Sequence, residues 1–378
     1  MEPVRNEPEN RYDSNFRDLS KAPILGQISQ RRIGTMVSVD ILPKGMTFTR
    51  MALAKALSDG DDVNAAGIAE ARWGASSAPA RILRAVGAGT YADMGGEFRA
   101  AATEFFGVVE QLSVLGRLGG GIRRVPLLTR MLTATSGAST YWVGEGKPKP
   151  AGKMAFTSGS LPSLKVASLA VVTEELARSS DPAAELVIRR DMTRSMTQAI
   201  DVALLDPSNA GSAGVSPASI THGVAPISAG ADPAADLRLL VENFAGDLES
   251  AIFIMTPSVA VSLASADRPG IGLRGGELLG APAVTSRSAP ADSIILADVS
   301  ALALGEGASE IRTSRAATIE MLDADLVQDA TTGTGTALVS LWQANCLGIL
   351  SEKEMNWEIQ RAGAVSMITG ADYAPVAS

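Results

Sequence analysis

Two residue types that carry much enzyme chemistry are almost missing from this sequence of 378 residues. It has one cysteine, Cys346, and one histidine, His222. A single cysteine forms no disulfide within the chain, so nothing here requires an oxidising compartment. The pair cannot supply the usual ligand set of a zinc site. A Ser–His–Asp or Cys–His site would depend on His222, and no serine lies in a G-x-S-x-G elbow. We therefore predict a protein that is not an enzyme and holds no metal or cofactor.

Long apolar runs and a surplus of basic residues are also missing. No stretch approaches 18 uninterrupted apolar residues, and the first ten residues have no signal-peptide core. We therefore expect a soluble protein made inside the cell, without a membrane segment. The net charge of −8 argues against a dedicated nucleic-acid-binding surface. Aromatic residues make up only 4% of the chain, but a hydrophobic share of 46% is ample for a core.

The first distinctive segment of the chain is residues 140–172. Two apolar, β-prone arms, residues 141–143 and 166–172, flank a stretch rich in glycine, proline, serine and lysine. This stretch, of about twenty residues, is longer than an ordinary loop inside a compact domain. The pattern predicts a two-stranded arm, and an isolated hairpin is only marginally stable in water. We therefore expect the arm to lie on a neighbouring subunit.

A long helix is predicted next. Asp181 is placed to cap it, Pro182 suits its first position, and Pro207 ends it. At 1.5 Å per residue it would span roughly 36 Å. The spacing predicts a buried stripe of Ile188, Met192, Met196, Ala199 and Ala203, and a polar face that includes Arg189, Arg190, Arg194 and Asp201.

The remaining segments predict further helices and strands. Residues 1–45 are polar, and their composition predicts an extended or disordered arm. Helices are predicted at 48–57, 63–73 and 79–86, followed by a glycine-rich hinge at 87–96 and a helix at 97–115. Helices at 234–244 and 257–266, a loop at 270–280, and short strands at 251–255, 283–285, 293–297 and 301–304 predict a compact α/β subdomain. Longer strands are expected at 310–322, 337–350 and 357–369.

Three local motifs have both a plain and a functional interpretation. Residues 144–147 (G-E-G-K) resemble the end of a phosphate loop, but Pro148 replaces the hydroxyl residue that holds magnesium, which favours a turn. A basic cluster of Arg117, Arg123, Arg124 and Arg130 favours a solvated face, and its functional interpretation is that Arg117, Arg123 and Arg124 contact packaged DNA phosphates. Trp142, Trp342 and Trp357 lie in β-patterned runs, which favours core or interface positions.

The order of several sequence blocks resembles the major capsid proteins of tailed bacteriophages, the family with the Hong Kong 97 fold. The blocks are T-Y-W-V-G-E-G-K-P-K-P (140–150), V-V-T-E-E-L-A-R-S-S-D-P (171–182), A-L-L-D-P (203–207) and G-V-S-P-A-S-I-T-H-G-V (214–224). The resemblance covers roughly residues 97–370. It implies an α+β capsid fold with an N-terminal arm, an extended β-hairpin loop, a peripheral domain with a long spine helix, and an axial α/β domain.

The resemblance also implies boundaries within the chain. They are a scaffold-like leader at 1–95, an N-arm at 96–139, the extended loop at 140–172, the peripheral domain with the spine helix at 173–225, the axial domain at 226–305, peripheral return strands at 306–355, and a closing strand and tail at 356–378. In some relatives such a leader is clipped by a maturation protease.

The same resemblance implies assembly sites. The expected subunit-interface residues are Tyr141, Trp142, Glu145, Lys147, Lys149, Lys153, Phe156, Arg189, Arg190 and Arg194. Some relatives join subunits through a Lys–Asn isopeptide bond assisted by a glutamate, and the segment 345–352 (N-C-L-G-I-L-S-E) resembles the strand that carries the asparagine and the glutamate. The corresponding trio here is Lys149, Asn345 and Glu352. A neutral lysine amine and a carboxylate base are what that reaction needs.

By this resemblance the function is that of a major capsid protein, which assembles into hexamers and pentamers of an icosahedral head enclosing double-stranded DNA. The expected partners are copies of itself and packaged DNA without sequence specificity, together with portal, scaffold, maturation protease or decoration proteins, but no membrane. The expected location is the virion shell, assembled in the host cytoplasm. Two alternatives are an encapsulin-like nanocompartment shell around a cargo enzyme and, from another class, an enzyme built on the α/β domain at 226–305.

Overall fold

The computed structural model divides the chain into two compact units, Met1–Ile41 and Leu42–Ser378. The structure describes residues 42–87, 91–136, 142–143, 145, 155–179, 181–265, 268–322 and 336–373. The first unit lies outside these residues, and all the helices and sheets of the described residues belong to the second unit.

Helices and strands alternate along this unit. The helices are α1 (Met46–Leu57), α2 (Asp62–Trp73), α3 (Ala78–Gly87), α4 (Tyr91–Leu112), α5 (Val114–Arg117), α6 (Glu174–Arg178), α7 (Pro182–Leu205), α8 (Pro233–Glu242) and α9 (Pro257–Leu263). The strands are β1 (Arg123–Arg124), β2 (Arg130–Ser136), β3 (Ala155–Ser160), β4 (Lys165–Thr173), β5 (Ile227–Ser228), β6 (Ala251–Met255), β7 (Ile271–Gly272), β8 (Gly275–Leu278), β9 (Ala281–Thr285), β10 (Ser293–Asp298), β11 (Leu302–Ser314), β12 (Thr318–Leu322), β13 (Thr336–Ser340), β14 (Cys346–Ile359) and β15 (Val365–Thr369). The α+β class predicted from the sequence is confirmed.

Two larger sheets organise the unit. A four-stranded sheet has the order β1-β11-β14-β4, in which the long strands β11 and β14 pair antiparallel. A seven-stranded sheet has the order β5-β15-β10-β6-β9-β8-β7. All six residues of its interior strand β10 are buried, as expected where both faces of a strand are covered. This second sheet, with α8 and α9, has its own hydrophobic core.

The spine helix α7 begins and ends where the sequence predicts. The Asp181 carboxylate accepts a hydrogen bond from the Ala183 amide at 2.8 Å, Pro182 occupies the first turn, and the helix runs 24 residues to Leu205. Ile188, Met192 and Met196 are buried as predicted. The stripe then continues through Ile200, Leu204 and Leu205 rather than through Ala199, which is exposed, and Ala203, which is half-buried. Larger apolar side chains fill that side of the helix because they bury more surface.

The N-terminal helices confirm three predicted patterns and correct one. Helices α1, α2 and α3 lie where the patterns at 48–57, 63–73 and 79–86 place them. The expected glycine-rich hinge at 87–96 is wrong over most of its length, because α4 begins at Tyr91. Glycine lowers helix propensity by only about 1 kcal/mol relative to alanine, a cost that packing elsewhere along a long helix can offset.

The first hairpin is formed by strands other than the predicted ones. Strand β2 pairs antiparallel with β3, from Arg130 opposite Ser160 to Ser136 opposite Ala155. The segment 166–172, expected as the second arm, belongs instead to β4 and pairs with β14 in the four-stranded sheet. Its alternating pattern fits that position, since Ser168 and Val172 are buried while Ala167 and Leu169 are more exposed.

The C-terminal strands also differ from the expectation. The predicted strand at 337–350 is broken by a turn at 341–345, where Asn345 has a φ of 51°. Strand β14 then continues through the charged residues 352–354, because Lys353 reaches Glu306 on the neighbouring strand. The predicted strand at 357–369 is therefore split: its first residues end β14, and β15 adds to the seven-stranded sheet beside β10.

Part of the predicted α/β subdomain is also more ordered than expected. The glycine-rich loop at 270–280 contains the short antiparallel pair β7 and β8, and β8 pairs in turn with β9. Residues 301–304, expected as a strand of the subdomain, begin β11 of the other sheet.

Candidate assembly surfaces

Two hairpins pair only within themselves among the described strands. Strands β2 and β3 form one two-stranded sheet, and β12 and β13 form another. A two-stranded hairpin is marginally stable without a further strand or a packed helix. Both hairpins therefore have the character of arms that need another surface.

Exposed tryptophans lie close to these arms in the sequence. Trp142, between β2 and β3, is fully exposed at 106%, and Val143 and Glu145 are also exposed. Trp342, in the turn that follows β13, is 76% exposed. By contrast, Trp357 is buried in β14 and its indole N–H donates to the Ala218 carbonyl at 2.9 Å. Of the three tryptophans, one is a core residue and two present large apolar surfaces to solvent.

Several predicted interface residues fall outside the described part of the chain. They are Tyr141, Lys147, Lys149 and Lys153. Phe156 lies in β3 with its backbone opposite Ala134.

The predicted arginines of the spine helix divide into two groups. The Arg189 guanidinium donates to the Lys44 carbonyl at 2.8 Å and so holds the start of α1. Arg190 and Arg194 are exposed on α7. These two side chains are the ones available to a neighbouring subunit.

The three arginines predicted to face DNA do not form one surface of unpaired positive charges. The Arg117 guanidinium donates to the Thr285 carbonyl at 2.6 Å. Arg124 forms ion pairs with Glu110 and Glu306, so two carboxylates offset its charge. Arg123 is exposed on β1. Of the three, Arg123 alone keeps the character that the prediction requires.

Two of the three predicted cross-linking residues, Asn345 and Glu352, do not meet within one chain. Asn345 immediately precedes β14, and its carbonyl accepts the Glu174 amide at 3.0 Å. Glu352 is seven positions further along that strand, which corresponds to roughly 23 Å at 3.3 Å per residue. Its Oε2 lies 3.9 Å from the Lys165 ammonium. A bond at Asn345 assisted by Glu352 would therefore draw these two residues from different subunits.

The carboxylate of Asp201, which the helical spacing predicts on the polar face of α7, is buried and links three parts of the fold. Asp201 on α7 is only 3% exposed. It accepts the Val114 amide at 2.7 Å and the Ser286 hydroxyl at 3.1 Å. Burial raises the pKa of Asp201 to about 6, although these two hydrogen bonds and the nearby Arg117 act to lower it. Asp201 is buried, although the helical spacing predicts it on the polar face. The reason is that the amide that donates to its carboxylate belongs to α5, far away in the sequence.

A second buried carboxylate, Glu185, joins the N-terminal helices to the spine helix. It is 5% exposed in the first turns of α7. Arg50 of α1 donates to its Oε2 at 2.8 Å, and the Trp73 indole of α2 donates to its Oε1 at 2.8 Å. Both oxygens therefore have a charged or polar donor, which a buried carboxylate requires. Sequence reasoning missed this contact because its members lie in separate helical patterns.

The described residues contain no group of three or more histidine, cysteine, aspartate or glutamate side chains arranged to hold a metal ion. None of the described helices combines the length and apolar character that a membrane crossing requires. His222, around which a nucleophilic site would have been built, is exposed, and its Nδ1 lies 3.1 Å from the Pro207 carbonyl.

Comparison with known proteins identifies the family. The profile of the phage capsid family matches residues 99–334. A "capsid polyprotein" of Pseudomonas phage PAJU2 is 34% identical over 367 residues, an alignment that covers 88% of this chain and 55% of that protein. The chain thus spans little more than half the length of that relative.

Solved structures with similar folds are more distant. One from Gordonia phage Cozz is 18% identical with a TM-score of 0.46, and the match covers 69% of this chain and 85% of that one. Another, from Mycobacterium phage Adephagia, is 17% identical with a TM-score of 0.42, over 67% of this chain and 89% of that one. The family profile, in contrast, covers well over half of this sequence. The chain therefore belongs to the phage capsid family.

Proposed function

We propose that this chain is the major capsid protein of a phage head. Copies of it would assemble into hexamers and pentamers of a closed icosahedral shell that forms in the host cytoplasm and encloses double-stranded DNA. Membership of the phage capsid family supports this function, as does the name of the 34% identical relative, a capsid polyprotein. Mechanically, the chain would act through the geometry of its interfaces rather than by catalysis.

The observation that carries the proposal is the pair of self-paired hairpins with exposed tryptophans beside them. Each hairpin lacks a third strand among the described residues, and Trp142 and Trp342 are left in solvent. Large apolar side chains of this kind are enriched at protein interfaces. A second copy of the chain, laid against each arm, would cover them and give the hairpins the surface they lack.

The charges of the chain support a loose contact with DNA. Arg124 is already paired with two glutamates, and the chain carries a net charge of −8. A sequence-specific DNA-binding protein would instead present unpaired basic side chains to the phosphates and to the base edges. We infer that the contents of the shell are held by enclosure, with few direct contacts.

We also propose that any covalent cross-link is an isopeptide bond between the Lys149 amine and the Asn345 side-chain carbonyl, which releases the amide nitrogen as ammonia, and that the assisting Glu352 belongs to a different subunit from that Asn345. The wide spacing of Asn345 and Glu352 along the chain at β14 supports this arrangement. On a denaturing gel of mature particles, cross-linking would give a ladder of oligomers, which Lys149→Arg would abolish. Monomers alone from mature particles would remove the cross-link but leave the capsid function intact.

The experiment that tests the main proposal is electron microscopy of the full chain expressed alone and with candidate scaffold and protease partners. Closed shells, or rings of five and six subunits, are the expected result. Compact monomers at high concentration under every condition would contradict it. Shells that hold a cargo enzyme and no DNA in the native host would favour a nanocompartment instead.

A further inference from the structure

Helices α1–α3 precede the part of the chain that the family profile matches, yet α1 contributes to the main hydrophobic core. The profile match begins at residue 99, inside α4. Phe48 of α1 is fully buried and stacks on Phe105 of α4, with ring centroids 4.5 Å apart. It also meets Phe106 edge-on at 5.8 Å. Since Phe105 and Phe106 belong to the matched region, α1 covers an apolar surface of that region itself.

The second contact is the buried Glu185 site. Arg50 and Trp73 donate to its two oxygens, and the Arg50 guanidinium lies 5.3 Å from the centroid of the Trp73 ring. If the helices were removed, a carboxylate on the first turns of the spine helix would lose both donors. Breaking a buried charged pair by removing one partner is strongly destabilising.

The third contact fixes the end of α6. The Arg72 guanidinium donates to the Ala177 carbonyl at 2.8 Å and to the Ser179 carbonyl at 2.7 Å. Arg72 also stacks on Trp73, at 5.6 Å from its ring centroid. Carbonyls at a helix C-terminus have no partner within the helix, so Arg72 takes over that role from another part of the chain. The corner between α6 and α7 is thus held from outside by α2.

We propose that α1–α3 form a permanent brace on the α6–α7 corner rather than a leader that is removed. Any proteolytic processing of this chain would then cut before Met46, or would leave the brace bound after a cut. The statement about processing rests on the proposed function, because it presumes head assembly. The statement about the brace does not, because it concerns the folded subunit alone.

The brace has a consequence for assembly. It occupies the α6–α7 corner and the nearby faces of Phe105 and Phe106, so these surfaces are not available to a neighbouring subunit. In the proposed shell, contacts between copies would instead run through the arms and through the exposed arginines Arg190 and Arg194 of α7.

The first test measures the brace in the free full-length chain. Glu185→Gln removes the charge of the buried carboxylate with little change of shape, and Trp73→Phe removes the indole donor while keeping an aromatic ring. We expect trypsin to cut within α1–α3 about tenfold faster in each variant, since loss of a buried charged hydrogen bond shifts a local opening equilibrium by at least that factor. The matched control is Glu175→Gln, which removes an exposed carboxylate of α6. Equal cutting rates in all three variants and the parent would overturn the brace.

The second test uses intact mass on subunits from assembled particles made in the presence of the native phage proteins. We expect every subunit to retain the segment Met46–Gly87, either in one polypeptide or as a fragment that co-purifies with the shell. Subunits that begin after Gly87, with no such fragment, would overturn permanence even if closed particles form. Absence of particles would contradict the proposed function, and the protease test on the free chain would still decide the brace.

Discussion

The N-terminal helices and the two hairpin arms are both separate from the two larger sheets in the order of strands, but they are stabilised in opposite ways. Helix α1 places Phe48 among buried aromatic rings, and Arg50 reaches a buried carboxylate on another helix. Within the described part of the chain, the hairpins β2–β3 and β12–β13 pair only with themselves, and Trp142 and Trp342 beside them stay in solvent. The helices are packed within a single chain, whereas the hairpins have no further strand among the described residues.

In the proposed shell, this difference would separate the stability of the subunit from the stability of the assembly. Burial of α1–α3 contributes to the folded state of one chain at any concentration. In the proposed shell the arms would be stabilised by a neighbouring copy, so their contribution would depend on the concentration of subunits. A protein built this way can fold first as a monomer and then assemble, without its interfaces being needed for the fold.

The largest effect on the free energy of unfolding is expected when the packing of α1 against α4 is disrupted. Phe48→Ala removes a fully buried ring from the stack with Phe105 and Phe106, and we expect the free energy of unfolding to fall by about 3–5 kcal/mol, as for other Phe→Ala changes in cores. Urea denaturation of the free chain measures it. Phe48→Leu should cost much less, and a loss below about 1 kcal/mol for Phe48→Ala would show that α1 is not part of the core.

A smaller effect on the free energy of unfolding is expected from Asp201, a buried residue of the packed region. This effect depends on pH. Burial raises the pKa of Asp201 to about 6, above its value in the unfolded chain, so the folded state binds this proton more tightly. The stabilisation from this protonation is fully present at low pH and is lost as the pH rises through about 6. Arg117 is the charged group that acts on Asp201 from the adjoining α5.

Asp201→Asn should remove that dependence. At about 1.4 kcal/mol per pKa unit, the stability difference between the parent and the variant should change by on the order of 2 kcal/mol between about pH 7 and about pH 4.5. The parent gains relative to the variant as the pH falls. Comparing the two chains cancels the titration of the other carboxylates. Parallel pH profiles would mean that Asp201 is ionised throughout this range.

How far the sequence determines these regions depends on the range of the interactions. The spine helix was predictable because its capping residue and its stop signal are adjacent to it, and Asp181 caps it as expected. The positions of α1, α2 and α3 were predictable for the same local reason. Their docking was not, because Arg50 and Glu185 meet across 135 residues of sequence. No periodic pattern within a helix carries that information.

The strands show the same limit. Residues 166–172 have a clear alternating pattern, but the pattern does not say which strand they join, and they pair with β14 instead of closing the hairpin. The charged run at 352–354 interrupts the apolar pattern that predicts a strand, whereas in the fold Lys353 is accommodated by Glu306 across the sheet. Helical spacing puts Asp201 on the polar face, and only the distant amide of Val114 explains its burial. The family itself was predictable, since the order of whole blocks carries it, and the profile match confirms it.

An intermediate test concerns the basic residues near β1. Arg124→Ala breaks exposed ion pairs with Glu110 and Glu306, and pairs of this kind contribute only about 0–1 kcal/mol. We expect a loss in that range by urea denaturation and no change in the DNA content of assembled particles, measured by the ratio of absorbance at the nucleic-acid and protein maxima. Arg123→Ala is the matched change at the exposed neighbour. A marked fall in packaged DNA for Arg124→Ala would show that its ion pairs open in the shell.

The smallest effect on the subunit should come from the arms, and it should coincide with a large effect on assembly. Trp142→Ala and Trp342→Ala each remove an indole ring that is not packed in the core of its own chain, since Trp142 is 106% exposed and Trp342 is 76% exposed. Surface changes of this kind alter the free energy of unfolding by less than about 0.5 kcal/mol. Loss of a central interface tryptophan, in contrast, costs at least about 2 kcal/mol per contact, and a closed shell repeats each contact many times. We therefore expect the free energy of unfolding of the free chain, measured by urea denaturation, to be unchanged, while particles, counted by electron microscopy or sedimentation, are lost.

The control variants are Trp142→Phe and Trp342→Phe. They should restore part of the assembly, because they keep an aromatic surface. If the alanine variants unfold more easily as free chains, the arms are packed within the subunit and do not differ from the N-terminal helices in this respect. If the alanine variants assemble normally, the two tryptophans lie outside the contacts between copies.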